Sequence, residues 1–177
     1  MPSNYLETSE RDAKEMAKTL KQIRGLLESD KLRSVYEGDA TELLDKVKKV
    51  LENFNSARES LASLEEDTII KTDPSFNNQR NQFIRRIEKA KIDFEYDIVP
   101  ALEKVTRQVV ENSKQNPSAQ VDTSKLPPPS PAENWTTQKV LDKASQLVDQ
   151  AAKAGAILTK AYTLAKALGF VLGIPIP

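Results

Sequence analysis

The chain has 177 residues, in which 26 Lys and Arg balance 26 Asp and Glu, and it contains neither His nor Cys. The absence of His removes the commonest general base and metal ligand, and the absence of Cys removes disulfides and thiolate chemistry. The balanced charge argues against nucleic acid, since its binders carry a basic excess. We therefore expect a non-enzymatic protein without metal or cofactor. The lack of Cys and of a secretory signal predicts a cytoplasmic location, and association with a membrane stays open.

Three long helices are predicted in the first 112 residues, where apolar side chains recur at helical spacing. They cover residues 4–36, 39–71 and 74–112, and no segment shows the alternation of a β-strand. The second helix carries the most regular stripe, whose apolar positions repeat in heptad steps of four and three. Matched lengths and single apolar stripes are typical of a helix bundle.

The ends of these helices carry their own signals. Ser29 and the Asp that follows it favour caps over helix interiors, so they predict a break within the first helix. Asp39 with Glu42 resembles a capping box at the start of the second helix. Pro74 fits the first position of the third helix, and Pro100 predicts a bend within it.

A polar, Pro-rich linker is predicted over residues 113–130, either as an ordered crossover or as a disordered hinge. A further helix follows over residues 131–177, because Ser130, Pro131 and Glu133 fit the first positions of a helix. The predicted fold is an all-α antiparallel bundle of four long helices with heptad-like packing, in which this last helix packs on a three-helix core. The main alternative is an extended coiled-coil hairpin that dimerises.

The end of the last helix is apolar around its whole circumference, so it must be buried in something. Three environments would bury it: the protein's own core, a groove of another protein or of a second copy, and a lipid surface. The residues predicted to contact a partner or a membrane are Ile157, Leu158, Tyr162, Leu164, Leu168, Phe170, Val171, Leu172 and Ile174.

Five basic residues are candidate contacts for a lipid headgroup or another phosphate. Lys160 and Lys166 lie within the apolar segment, where each would cost ~2.5–3.5 kcal/mol at mid-bilayer. That cost argues against a permanent span and leaves interfacial binding open. Arg80, Arg85 and Arg86 form the densest basic cluster, for which ordinary surface ion pairs with nearby acidic residues are the alternative.

In outline, this predicted architecture resembles the helical bundles of cell-death and defence systems, in which one helix is released to oligomerise or to disturb membranes. The resemblance concerns architecture alone and transfers no residues. We expect a protein that acts by helix-mediated association with a protein partner, with itself or with a membrane surface, through its C-terminal helix. The alternative is a purely structural scaffold whose tail stays buried.

Overall fold

A computed structural model of the protein describes residues 2–36, 39–67, 69–115, 126 and 135–176. The regular structure within these ranges is entirely helical, which confirms the predicted all-α class. The α-helices are α1 (Pro2–Leu27), α2 (Asp30–Val35), α3 (Ala40–Glu66), α4 (Phe76–Asp93), α5 (Val99–Gln115), α6 (Thr137–Lys153) and α7 (Ile157–Leu172). A 3-10 turn (Ile70–Thr72) separates α3 from α4, and a π-helical turn (Phe94–Ile98) joins α4 to α5.

The first predicted helix is divided into α1 and α2, and the break falls where the sequence predicts it. Ser29 is the N-cap of α2 and has extended backbone angles. Asp39 is the N-cap of α3, but its side chain makes no capping hydrogen bond, so the predicted capping box is wrong. Its Oδ2 instead lies 2.7 Å from Lys104 Nζ, which links the start of α3 to α5.

The second helix ends earlier and the third begins later than predicted, because Asp carboxylates at these positions accept hydrogen bonds from backbone N–H groups. Helix α3 ends at Glu66, before residue 71, because the Asp67 carboxylate accepts the N–H groups of Ile69 and Ile70 at 2.9 and 3.1 Å. Helix α4 begins at Phe76, two residues after Pro74. The Asp73 carboxylate accepts hydrogen bonds from the backbone N–H and hydroxyl of Ser75, both at 2.8 Å.

The π turn lies just before Pro100, where the sequence predicts a bend. Val99 donates its N–H to the carbonyl of Phe94, five residues earlier, which is the π pattern. Proline has no N–H, and its ring clashes with the carbonyl four residues before it in a regular helix. The wider turn accommodates Pro100, so α4, the π turn and α5 form one long helix that we call the rod (Phe76–Gln115).

The prediction of a single helix over residues 131–177 is wrong within the described residues. Helix α6 ends at Lys153, and Ala154 and Ala156 have extended backbones with ψ of 131° and 132°. The two helices on either side of this connection pack against each other as a hairpin. The predicted N-terminal signal at residues 130–133 and most of the predicted linker lie outside the described residues. The first three linker residues belong to α5.

The helices share one continuous apolar core. Helix α3 packs against α1 and α4, whereas α7 packs against α1, α5 and α6. Fully buried side chains from the whole length of the chain meet in this core, among them Leu20, Phe54, Leu102 and Leu168. The C-terminal hairpin is therefore an integral part of the core.

Candidate functional site

The candidate site is the C-terminal hairpin, whose first arm is an ordinary amphipathic helix. Thr136 caps α6 and accepts a hydrogen bond from the Lys139 N–H at 3.2 Å. One apolar stripe of α6 is buried, and Asp142 and Gln146 are exposed on the other side. The buried stripe consists of Val140, Leu141, Ala144, Leu147, Val148 and Ala151.

The second arm, α7, is the most apolar of the long helices. Within it Thr159 alone is exposed, and every other residue is buried or half-buried. At 100° per residue, the buried positions cover more than half of the helix circumference. They are Ala161, Leu164, Ala165, Ala167, Leu168, Gly169, Val171 and Leu172. Of the three environments that would bury this segment, the structure provides the protein's own core.

The chain after α7 folds back over the helix. Gly173 has a φ of 72°, a left-handed conformation that costs glycine little. The Ile174 N–H then donates to the Gly169 carbonyl at 2.8 Å. A Cβ on Gly169 would lie 2.5 Å from the Ile174 carbonyl oxygen and 3.0 Å from Ile176 Cγ1. The tail therefore rests directly on the backbone of α7.

Two residues that precede α6 cover the end of this hairpin. Leu126 is only 8% exposed and lines a small cavity of about 160 Å³ together with Phe170, Ile174 and Ile176. The Trp135 ring meets the Phe170 ring edge-on, with centroids 5.1 Å apart and an interplanar angle of 66°. Trp135 thus anchors this end of the hairpin.

The two lysines of α7 are engaged within the protein. Lys160 Nζ lies 3.1 Å from Glu103 Oε2, and Arg107 Nη2 lies 3.1 Å from Glu103 Oε1. Partial burial raises the pKa of Glu103, but the hydrogen bonds and charges of both partners outweigh it, so the pKa is below its ordinary value. Lys166 stands over the Tyr162 ring, 5.4 Å from its centroid.

The structure does not assemble the predicted contact residues on one surface. Leu164, Leu168, Val171 and Leu172 are fully buried. The remaining members of the predicted apolar set are half-buried, namely Ile157, Leu158, Tyr162, Phe170 and Ile174. The predicted arginine cluster lies on α4, which packs against α3 rather than along the hairpin. There Arg80 pairs with Glu65 at 3.3 Å, and Arg85 and Arg86 are exposed.

Two features are absent from the described residues. No three acidic residues among them come together in a group that would hold a metal ion. No described helix combines the length and the apolar character needed to cross a bilayer. In addition, the chain has no significant match among protein-family models, curated proteins or solved structures.

Two surface features escaped the sequence predictions. A charged cleft of about 870 Å³ lies where α1, α3 and α4 meet, and its walls include Arg11, Arg58 and Glu65. Such a cleft depends on how far apart the helices sit, which no local pattern encodes. On the rod, Ile92 and Tyr96 are exposed. The sequence could have predicted their exposure, because each lies two residues away from members of the buried stripe. This stripe runs through Ala90, Phe94 and Ile98.

Proposed function

We propose that the chain is a non-enzymatic helical protein that acts by helix-mediated association and stores its C-terminal hairpin as an internal effector element. The helices would form an antiparallel four-helix bundle from α1, α3, the rod and α7, with α6 packed outside it. The observation that carries the proposal is the enclosure of the most apolar helix by three amphipathic helices. On release, α6 and α7 would dock on a protein partner, on another copy or on a membrane surface.

The nature of the contacts around α7 supports release. Apolar burial is non-directional and contributes ~25 cal/mol per Å² in any apolar environment, so a groove or an acyl layer would replace the core. One described ion pair, Lys160–Glu103, ties α7 to α5, and both side chains are only partly buried. Release of α7 from α5 must break this pair.

The helices beside α7 also contain unsatisfied polar groups. The hydroxyls of Thr106 and Ser113 on α5, and of Ser145 on α6, are buried without a hydrogen-bond partner. Helices α5 and α6 pack against each other and against α7. A buried polar group without a partner costs about 1–3 kcal/mol, which hydration would return when the helices separate. We therefore propose that the fold opens between these helices.

A permanent scaffold is the second candidate, and a different observation favours it. The tail rests on Gly169 so closely that a methyl group would not fit, and Leu126 and Trp135 cover the same end. Such close packing is typical of a fixed core. On this hypothesis α7 never leaves, and association takes place through outer surfaces alone.

Restraining the hairpin separates the two hypotheses. The chain has no Cys, so Glu103→Cys with Lys160→Cys introduces a unique pair, which a short bis-maleimide can join across α5 and α7. The control is the same double variant capped on each thiol with a monofunctional maleimide. Trp135 is the single Trp and reports on the hairpin through its contact with Phe170.

Each protein is mixed with neutral and with anionic vesicles, and flotation, Trp emission and light scattering are recorded. The proposal predicts that the wild-type and capped proteins bind vesicles or assemble with a change in Trp emission, whereas the cross-linked protein does neither. Equal behaviour of the cross-linked and capped proteins, or no binding and no assembly by any of them, would favour the scaffold.

A further inference from the structure

The C-terminal hairpin and the rest of the chain, which we call the body, carry opposite net charges. Residues 137–172 comprise α6, α7 and their connection, and they contain five Lys and two Asp, a net charge of +3. Because the whole chain is neutral, the body carries a net charge of −3. The charges of α6 before residue 150 cancel, so the excess comes from Lys153, Lys160 and Lys166. The hairpin is therefore a basic element that packs on an acidic body.

The two lysines of α7 lie on either side of its outward face. At 100° per residue, they are about 60° to each side of Thr163, and Thr159, the exposed residue of the helix, lies between them. Phe170 is the one large apolar side chain in this sector, and its ring contacts Trp135. Lysine stems at the borders of an apolar face reach the headgroups while the face stays in the acyl layer. The arrangement is typical of a helix that lies in a membrane interface.

Two features of α7 favour a lipid surface over a span or a protein groove. Its 16 residues extend about 24 Å, which is less than the ~30 Å of a hydrocarbon core. Its lysines are about 120° apart around the helix, so one groove would have to provide an acidic group at each border. Anionic headgroups surround an interfacial helix on both sides, and they would reach both lysines without such a geometry.

We propose that the released hairpin binds an anionic lipid surface, with the buried face of α7 in the acyl boundary and both of its lysines on headgroups. This inference rests on the proposed function, because the hairpin must first leave the core. A ligand shifts an equilibrium only by its differential affinity for the two states. An anionic surface attracts the hairpin and repels the body, so its field favours their separation, whereas a neutral surface or an apolar groove lacks this effect.

Glu103 is the internal counterpart of the headgroup. In the closed chain, one of its carboxylate oxygens lies 3.1 Å from Lys160 Nζ, and the other lies 3.1 Å from Arg107 Nη2. Arg107 is on the same helix as Glu103, four residues along α5, so it stays beside the carboxylate when Lys160 moves to a lipid phosphate or carboxylate. The exchange therefore keeps both charges paired.

Flotation of the full-length chain with vesicles tests this inference. Vesicles of phosphatidylcholine alone are compared with vesicles that also contain phosphatidylserine, each at low and at raised salt. One lysine near an anionic surface changes binding about fivefold, so we expect at least ~10-fold stronger binding to the anionic vesicles. Raised salt should reduce this preference, because it screens exposed charges.

Two lysine substitutions with the same change of charge form a matched pair. Lys166→Gln removes a headgroup contact of the hairpin, so binding to anionic vesicles should weaken about fivefold. Lys71→Gln should leave binding unchanged, because Lys71 is exposed in the 3-10 turn between α3 and α4, outside the hairpin. Circular dichroism of each variant establishes that it is folded.

A second matched pair tests the exchange at Glu103. Glu103→Gln removes the internal partner of Lys160, so binding to anionic vesicles should strengthen by about 2–5-fold, the range expected for a partly exposed ion pair. Glu88→Gln makes the same change of charge at an exposed residue of α4 and should have no such effect. Equal effects of the two substitutions would overturn the exchange.

The outcomes separate this inference from the proposed function. Equal binding to neutral and anionic vesicles would overturn the inference and leave the proposed function standing, and so would equal effects of Lys166→Gln and Lys71→Gln. Assembly in solution without vesicle binding would likewise overturn it, since the hairpin would then associate with protein. A wild-type chain that neither binds vesicles nor assembles would overturn both.

Discussion

Helices α7 and α4 are similar in length, 16 and 18 residues, but they are stabilised in opposite ways. Eight residues of α7 are buried, whereas in α4 only Ile87 and Ala90 are. Helix α7 lies among α1, α5 and α6, and α4 packs mainly on α3. The comparison teaches that the apolar helix depends on its surroundings, while the charged helix leaves one face in contact with solvent.

Truncation of one apolar side chain in each helix should show the largest contrast. Leu168 in α7 is fully buried and Ile92 in α4 is 56% exposed. We expect Leu168→Ala to lower the free energy of unfolding by about 2–5 kcal/mol, through lost burial and a residual cavity. Ile92→Ala should change it by less than about 0.5 kcal/mol. Urea denaturation followed by circular dichroism measures both, and similar midpoints for the two variants would contradict the comparison.

Two glycine-to-alanine substitutions should change the stability of the protein in opposite directions, because only one of the added methyl groups has room. Gly169→Ala places a methyl group against the Ile174 carbonyl, so the tail must shift, and we expect a loss of about 1–3 kcal/mol. Gly25→Ala in α1 meets nothing within 4 Å and should stabilise by about 0.5–1 kcal/mol, because alanine favours the helix. Thermal denaturation of the two variants compares them directly. A stabilising Gly169→Ala would show that the tail does not rest on α7.

Removal of a buried hydroxyl that has no hydrogen-bond partner should raise the stability of the protein modestly. Thr106→Val removes a buried hydroxyl without a partner and keeps the shape of the side chain, so we expect stabilisation of about 1 kcal/mol. The control is Thr163→Val on α7, whose hydroxyl donates to the Thr159 carbonyl at 2.8 Å. That change should stay within about 0.5 kcal/mol of wild type. Destabilisation by Thr106→Val in urea titration would mean that its hydroxyl is hydrogen-bonded.

The smallest effect concerns the ion pair between α7 and α5. The pKa of Glu103 is lower in the folded chain than its ordinary value of 4.5, so its contribution is complete above pH 4.5 and is lost as the pH falls through the lowered pKa. Glu103→Gln should cost about 0.5–1 kcal/mol at neutral pH, and this difference from wild type should shrink below pH 4.5. Glu88→Gln serves as the control, because Glu88 is exposed and has no ion-pair or hydrogen-bond partner among the described residues. A difference that does not vary with pH would contradict this prediction.

Much of the helical structure was predictable from local patterns. The break at Ser29 was predicted, and the π turn falls where a bend was predicted at Pro100, because each position depends on the backbone preference of one or two residues. The capping box at Asp39 was not realised. Its carboxylate binds Lys104 on another helix, and that contact is long-range in sequence.

The candidate site was predicted less completely than the helices. The apolar character of residues 157–174 indicated that this segment must be covered, and it is. The hairpin turn at Gly155 was missed, because the apolar periodicity continues across it and a single glycine is compatible with a helix. The outward position of Ile92 and Tyr96 also follows from the apolar stripe, because neither residue belongs to it.

The amino-acid sequence by itself determined that this protein is helical and that its last helix cannot stay in water, since both properties follow from composition and from a 3.6-residue period. Only the tertiary structure decided that α7 is covered by α1, α5 and α6 of the same chain. The hydrophobic effect rewards burial but specifies no partner, so the choice among core, second protein and lipid depends on which surfaces the fold brings together.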